Sequence, residues 1–239
     1  MLDLIADIDN EWRDFLAKEL SHEYARQLAK SLEPDVLTNS VCPDSVDWFR
    51  AFKDTAPEDV RVVILGQDPF FNGEAMGLSF SVKPGYKLTP STRNILKEVT
   101  KHSDVSSFTG NLEGWATQGV FMLNTCLTTR KGKAGAHSKL GWENLTRAAL
   151  NHLNDMGRPI VYLAWGLWAH KGAEHVTNPL HTVIKTSHPS PLGAYKQGKT
   201  FEAFLKSDCF EAANQYLVNY GARPIDWMDG LQKKNEGLL

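Results

Sequence analysis

Four short apolar runs are each followed, within a few residues, by a group that could take part in chemistry. Asp68 comes after the first run, Asn124 after the second, Gly166 after the third and His188 after the fourth. A carboxylate can stabilise positive charge and orient water, an imidazole can donate a proton, and an amide can pair with the polar edge of a ligand. These residue types indicate chemistry done by side chains and water.

Each of these residues also has a common structural explanation when it is taken alone. Asn124 after a strand suits a turn or a helix cap, and Asp68 before a proline suits a turn. A single histidine is more often a satisfied core or loop residue than a catalyst. Gly66 and Gly166 permit a close approach of the backbone beside them. The combination favours a ligand site over several unrelated turns.

Other chemistries find no support in the sequence. It has no GxxxxGK[ST] phosphate loop, no GxSxG nucleophile motif, and no cluster of His, Cys, Asp or Glu at metal-ligand spacing. Its three cysteines, Cys42, Cys126 and Cys209, are too few for a four-cysteine iron–sulfur cluster and are expected to be small buried residues. We therefore expect neither a metal nor another cofactor.

The four apolar runs predict the strands that position these groups. They span 60–65, 120–123, 160–164 and 182–185, are rich in β-branched residues, and alternate with helical patterns at 94–100, 142–156 and from 168 onward. This alternation predicts an α/β fold with three layers, α/β/α, around a central four-stranded, mainly parallel sheet. Ligands of such sheets bind at the carboxyl ends of the strands, so Asp68, Asn124 and His188 should converge there.

The N-terminal segment predicts an amphipathic helix packed on the core. Its apolar residues recur at spacings near three and four: Leu2, Ile5, Ile8, Trp12, Phe15, Leu16 and Leu20. No repeat, low-complexity tract or linker interrupts the chain. We expect a single domain over 1–239, with an N-terminal helical part, 1–59, and the sheet with its active-site loops, 60–239.

The charge is unevenly distributed along the chain. The net charge is −2, yet the first 60 residues hold 14 acidic against 6 basic residues. Two runs of the chain, 114–142 and 175–201, contain no carboxylate. Both carry basic residues: Arg130, Lys131, Lys133 and Lys139 in the first, and Lys185, Lys196 and Lys199 in the second. If the runs meet, they form a positive patch for a polyanion. The alternative is that they are solvated loops.

The composition is that of an ordinary globular protein, with 42% hydrophobic and 23% charged residues. No run of about 18 apolar residues is long enough to span a bilayer. The acidic N-terminus lacks the basic and apolar regions of a signal peptide. A cytoplasmic protein without a membrane partner is expected, with a nuclear location as the alternative.

Several separated motifs resemble the main, cofactor-free class of uracil-DNA glycosylases. The segment VRVVILGQDPFFNGEAMGLSFSV is similar to the water-activating loop of that family and the strand after it, SHPSPLGAYKQGKTF to its minor-groove loop, and GVFMLNTCLTT to its base-reading segment. Similarity extends to LTPSTRNILKEV, GWENLT, YLAWG and a tail ending in PIDW. The resemblance covers about residues 12–227.

The resemblance implies an enzyme that flips deoxyuridine out of DNA and hydrolyses its N-glycosidic bond. Asp68 and His188 would be catalytic: the carboxylate would stabilise the cationic sugar and position water, and a neutral imidazole would donate to uracil O2. Asn124 would read the edge of the base and Phe80 would stack on it. Backbone groups at Gln67 would add contacts to the base.

The resemblance also implies how DNA is held and how thymine is excluded. Ser91, Ser190 and Gly166 would contact phosphates, and Leu192 would fill the space that the flipped base leaves. Phe70, where the family usually has tyrosine, would block the methyl group of thymine. The expected partners are single- and double-stranded DNA and a proteinaceous DNA-mimic inhibitor, and the expected state is a monomer.

Two further departures from the family leave other functions open. Phe71 replaces a histidine that orders water, and Leu167 replaces a serine that binds phosphate. A non-catalytic DNA-binding or replication-accessory protein would tolerate both changes, and a glycosylase of relaxed specificity is a third reading. An unrelated doubly wound nucleotide-binding enzyme would leave the GQDP and HPSPL motifs unexplained.

Overall fold

A computed structural model describes residues 1–232 of the chain. Its α-helices are α1 (Trp12–Leu20), α2 (Glu23–Leu37), α3 (Arg50–Asp54), α4 (Pro90–Val99), α5 (Glu113–Ala116), α6 (Trp142–Asn154), α7 (Leu167–Gly172) and α8 (Cys209–Asn219). Its strands are β1 (Val41–Cys42), β2 (Val62–Gly66), β3 (Val120–Asn124), β4 (Thr129–Arg130), β5 (Ile160–Trp165) and β6 (His181–Thr186). Short 3₁₀ turns supplement the helices at Leu2–Ile5, Ser45–Asp47, Pro57–Asp59 and Ala173–His175.

The central sheet has four strands in the order β3-β2-β5-β6, and every neighbouring pair is parallel. The predicted α/β class with a four-stranded parallel sheet is confirmed. Three of its strands, β2, β3 and β5, are buried along their whole length, as near-continuous apolar runs require. A separate antiparallel pair, β1 with β4, was not predicted.

The chain runs outward from β2 in two directions, which locates the site. It passes from β2 to β3 on one side, then returns to β5 on the other side of β2 and continues to β6. Since crossovers between parallel strands are right-handed, these two directions place the connecting segments on opposite faces of the sheet. The carboxyl ends of β2 and β5 therefore form the switch point of the sheet, and the cavity described below opens beside it, at the carboxyl ends of β2 and β3.

The prediction that one N-terminal helix begins near Leu2 is wrong about where the helix starts. The segment begins as a 3₁₀ turn, and α1 starts only at Trp12. The Asn10 side chain causes this start, because its Oδ1 accepts the Trp12 N–H at 2.9 Å and satisfies one unpaired donor of the first turn. The apolar spacing still reports burial, since Trp12 is fully buried and stacks on Phe121 of β3 at 5.4 Å.

Candidate active site

A cavity of about 220 Å³ opens at the carboxyl ends of β2 and β3. This is smaller than the roughly 300–1,000 Å³ of sites for drug-sized ligands, so it suits one small ring. Its lining residues come from three loops, from the first turn of α4 and from the ends of the two strands: Gly66, Gln67, Asp68, Pro69, Phe70, Phe71, Ala75, Gly77, Leu78, Phe80, Ser81, Ser91, Asn124, Ala134 and His188. All six residues predicted to catalyse the reaction or bind uracil are among them.

Asp68 lies on the loop after β2 and is partly buried in the cavity wall. The backbone N–H of Gly135, from the loop between β4 and α6, donates to its Oδ2 at 2.6 Å. Burial raises the pKa of Asp68 above its ordinary value of 3.8, and the Gly135 hydrogen bond opposes that rise by stabilising the carboxylate. One carboxylate oxygen is thus oriented, and the other is available to a ligand or water.

Asn124 is placed by its neighbour across the sheet. Gly66 of β2 pairs in register with Asn124 of β3, and a Cβ at position 66 would lie only 2.1 Å from Asn124 Oδ1. Glycine at position 66 is therefore required for the amide to occupy this place. The Asn124 side chain is buried and has no hydrogen-bond partner among residues 1–232, so its donors and acceptor are available to a ligand in the cavity.

The resemblance predicted Phe80 on a strand after the water-activating loop, and this prediction is wrong. Its backbone is left-handed, with φ of 62°, within a turn. Such a conformation costs a non-glycine residue about 1–3 kcal/mol, so surrounding contacts must hold it. Thr92 Oγ1 donates to the Phe80 carbonyl at 2.7 Å, and the ring packs against Trp165, 5.3 Å between centroids. The ring forms one wall of the cavity.

His188 has a defined tautomer in this structure. The backbone N–H of Ser190 donates to His188 Nδ1 at 3.0 Å, so Nδ1 is an acceptor and carries no proton. Burial lowers the pKa of His188 below its ordinary 6.5, which favours the neutral ring. The remaining proton is therefore on Nε2, and the histidine lines the cavity as a neutral hydrogen-bond donor.

Of the four residues predicted to contact DNA, only Ser91 lines the cavity. Ser91 lines it from the first turn of α4, and a Cβ at Gly166 would lie 2.9 Å from the Cβ of His188. Ser190 and Leu192 are outside the lining, on the loop after β6, and the Leu192 side chain is 83% exposed. Asn94 of α4, which sequence reasoning missed, supports that loop by donating to the Pro189 carbonyl at 2.8 Å.

Both acid-free runs reach the cavity, but part of their positive charge is paired internally. Ala134 of the first run and His188 of the second line it together. Arg130 Nε donates to both carboxylate oxygens of Asp35, at 3.0 and 2.9 Å, and Lys131 Nζ donates to a backbone carbonyl. The other lysines of the two runs are exposed. The predicted positive patch thus depends on those lysines.

A buried polar network fixes the loop that carries Gly135. His137 Nε2 lies 2.8 Å from Asp35 Oδ2, and its Nδ1 lies 2.9 Å from Thr128 Oγ1. Sequence reasoning missed this loop, although Gly132 and Gly135 signalled a backbone that can approach a ligand closely. Within residues 1–232 no group of three or more His, Cys, Asp or Glu side chains could hold a metal ion, and no helix is long and apolar enough to cross a membrane.

The pH profile of kcat/KM is expected to show a single acid limb. In its predicted role Asp68 stabilises positive charge as a carboxylate, so activity should fall as pH drops through its raised pKa. His188, whose burial lowers its pKa below the ordinary 6.5, should remain neutral at pH 6.5. The measurement is uracil release from about pH 4 to 9, with folding followed at each pH. A second loss of activity centred near pH 6.5 would contradict the neutral histidine.

The fold and the cavity define an α/β protein whose sheet edge carries a ring-sized cavity lined by a carboxylate and a neutral imidazole. The model of the uracil DNA glycosylase superfamily matches residues 52–218, and the chain belongs to this superfamily. The uracil-DNA glycosylase of Clostridium perfringens (strain SM101 / Type A) is 42% identical over 228 residues, 94% of this chain and 98% of the relative. That of Alkaliphilus oremlandii is 42% identical over 92% of this chain and 96% of the relative.

Solved structures agree with the sequence relatives. Mimivirus uracil-DNA glycosylase superimposes with a TM-score of 0.86 at 29% identity, over 95% of this chain and 89% of that one. The Y322L variant of the mimivirus protein, solved in complex with UGI, gives the same TM-score at 30% identity, over 95% and 90% of the two chains. The predicted family and fold are confirmed.

Proposed function

We propose that this protein excises uracil from single- and double-stranded DNA and so initiates base-excision repair. The observation that carries the proposal is that Asp68 and a neutral His188 with its proton on Nε2 line the same base-sized cavity. Glycosylases reach their target by turning the nucleotide out of the stack into such a pocket. The chain's similarity to uracil-DNA glycosylases over nearly its whole length supports uracil as the base.

Recognition of uracil is assigned to Asn124 and Phe80. The amide of Asn124 donates to O4 and accepts from N3–H, whereas cytosine presents the reverse pattern at these atoms. Binding cytosine would leave buried groups unpaired, at about 1–3 kcal/mol each. The ring of Phe80 stacks on the face of the base, a contact worth roughly 1–3 kcal/mol. Backbone groups at Gln67 supply further contacts.

Bond cleavage separates charge, and the two catalytic groups match that separation. When the bond from C1′ to N1 breaks, its electron pair stays on uracil and the sugar becomes cationic. The Asp68 carboxylate stabilises the sugar and positions a water, whose oxygen bonds to C1′ and whose proton leaves to solvent. His188 Nε2–H donates to O2 as negative charge develops there. The departing uracil anion takes up a proton from solvent, which balances the proton released by the water, so the products are uracil and an abasic site.

The departures from the family pattern change details of this proposal. Phe70 keeps nearly the bulk of a tyrosine, so exclusion of the thymine methyl is retained. Phe71 has no polar group for a water, so orientation of the nucleophile is assigned to Asp68. Ser91, Ser190 and Gly166 hold phosphates, and the salt-dependent part of binding comes from the exposed lysines.

The test is release of free uracil from single-stranded, U·A and U·G oligonucleotides in the presence of a chelator. A T·G duplex and the Asp68→Asn variant serve as controls. Release from all three uracil substrates, and none from T·G, would support the proposal. DNA binding without release would favour the accessory-protein alternative, and cleavage of T·G would favour relaxed specificity.

Leu192→Ala is expected to impair duplex substrates more than single strands. Leu192 is 83% exposed on the loop after β6, where it can enter a stack. Only a duplex closes on the space left by the flipped base, and unstacking there costs a few kcal/mol. We expect kcat/KM to fall about tenfold or more for U·A, with a smaller change for the single strand. Equal losses on both substrates would rule out insertion.

The working context of the protein is proposed from its relatives. The C. perfringens and A. oremlandii proteins are bacterial, which supports a cytoplasmic location beside the chromosome. The mimivirus complex with UGI supports the expectation that a proteinaceous DNA mimic binds this chain. A monomeric state stays a prediction, and size-exclusion chromatography with light scattering would test it.

A further inference from the structure

The first turn of α7 presents two large apolar side chains to solvent. Leu167 is 73% exposed and Trp168 is 50% exposed. They follow Gly166 directly, at the carboxyl end of β5. Exposed tryptophan is costly to hydrate and is enriched where proteins bind partners. These two side chains therefore indicate a binding surface.

The indole of Trp168 is held in one orientation. Its Nε1–H donates to Thr125 Oγ1 at 2.9 Å, and the Thr125 hydroxyl donates in turn to the Gln67 carbonyl at 3.0 Å. The hydroxyl thus uses its proton and one lone pair in a continuous chain from the indole to the catalytic loop. A ring anchored in this way can meet a flat ligand with little loss of side-chain entropy.

The position of the ring relates it to the DNA-binding face. Thr125, to which the indole is anchored, follows Asn124 of the uracil cavity. Gly166, which begins the turn, packs against His188. Trp168 does not line the cavity, but its contacts place it beside the cavity wall, next to the end of β3 and the loop that carries His188. The neighbouring run 175–201 contains no carboxylate, so nothing in it repels a phosphate backbone.

We propose that Trp168 stacks on an unpaired nucleobase next to the flipped uridine and that Leu167 packs beside it against the deoxyribose. This inference rests on the proposed function and adds a stacking contact between the protein and a base of the DNA strand other than the uracil. Every base has a π-face, so such stacking is tolerant of sequence. Single-stranded substrates gain most, because their flanking bases are free to leave the stack.

The experiment combines substitutions in the protein with deletions in the substrate. Wild type, Trp168→Ala and Trp168→Phe are compared on a single-stranded oligonucleotide with one uracil. In a substrate series, each of the flanking nucleotides in turn is replaced by a tetrahydrofuran residue, which has no base. Tyr220→Ala is the matched control, since Tyr220 is 49% exposed beyond the end of α8 and does not line the cavity.

Trp168→Ala is expected to raise KM about tenfold, with kcat within about twofold of wild type. Trp168→Phe keeps a ring but loses the anchoring hydrogen bond, so its KM should lie between the two. At one tetrahydrofuran position the difference between wild type and Trp168→Ala should disappear, because the partner base is gone. Tyr220→Ala should behave as wild type on every substrate.

Three outcomes would overturn the inference. The first is an unchanged KM in Trp168→Ala. The second is a loss of kcat alone, which would mean that Trp168 acts through Thr125 on the loop after β2. The third is a rise in KM for Trp168→Ala that is equal on every substrate of the series. If the wild type releases no uracil, the proposed function fails separately. The dissociation constants of the same oligonucleotides, measured by fluorescence anisotropy, then still decide whether Trp168 contacts a base.

Discussion

Replacing Asp68 by asparagine is expected to lower kcat for uracil release about 10³-fold while leaving the affinity for DNA nearly unchanged. The two side chains have the same shape, and the asparagine oxygen can still accept the Gly135 N–H that Asp68 Oδ2 accepts at 2.6 Å. The substitution therefore removes the charge but keeps the geometry. The measurement is single-turnover release at saturating enzyme, with DNA binding measured separately by anisotropy.

The same variant should be more stable to heat than the wild type. Burial raises the pKa of Asp68, which means that folding disfavours its charged form at neutral pH. A neutral amide avoids that penalty, so Tm should rise, as is common when a catalytic charge is removed. Asp44→Asn, which removes an exposed carboxylate that pairs with Lys83, is the matched control and should retain full activity. An active Asp68→Asn enzyme would refute the assigned role.

Replacing His188 by alanine is expected to lower kcat about 10²–10³-fold, the cost of removing one donor to a developing anion. The histidine also accepts the Ser190 N–H at 3.0 Å, so alanine could disturb the loop as well as the chemistry. His188→Asn separates the two effects. Its side-chain oxygen can accept the N–H two residues ahead, as asparagine does in turns, yet its amide is too short to replace Nε2.

The two His188 variants should therefore lose similar amounts of kcat if donation to uracil is the role of the histidine. Recovery of most activity in His188→Asn would instead assign His188 to holding the loop. The affinity for duplex DNA serves as the independent readout of loop position, because Ser190 and Leu192 lie on the same loop. Only a loss of kcat common to both variants, with affinity kept, agrees with the proposed mechanism.

Much of the fold could be predicted from local patterns. The apolar runs that end near Leu65, Leu123 and Ala164 form strands because a strand covered on both faces must be apolar at every position. Parallel pairing then brings their carboxyl ends together, which placed Asp68, Asn124 and His188 at one edge in advance. The single domain over 1–239 stays a prediction, supported by the packing of Trp12 on Phe121.

Other features depend on residues that meet only after folding. Asp68 and Gly135 are 67 positions apart, and Asn94 and Pro189 are 95 apart. No local pattern reports such contacts, because periodicity records burial and not the partner. The break in the N-terminal helix escaped prediction for a related reason: the apolar spacing continues across it, while α1 begins only at Trp12, whose N–H donates to Asn10 Oδ1.

The sequence by itself determined the α/β class and which polar residue follows each predicted strand at the edge of the sheet, among them Asp68, Asn124 and His188. It could do so because each of these features depends on residue type and on burial within a short segment. Only the tertiary structure decided the chemical state of these residues. The Ser190 N–H sets the tautomer of His188, the Gly135 N–H orients Asp68, and the Thr92 hydroxyl helps to hold Phe80 in a left-handed turn. Hydrogen-bond partners and desolvation set protonation and orientation, and both arise from three-dimensional packing.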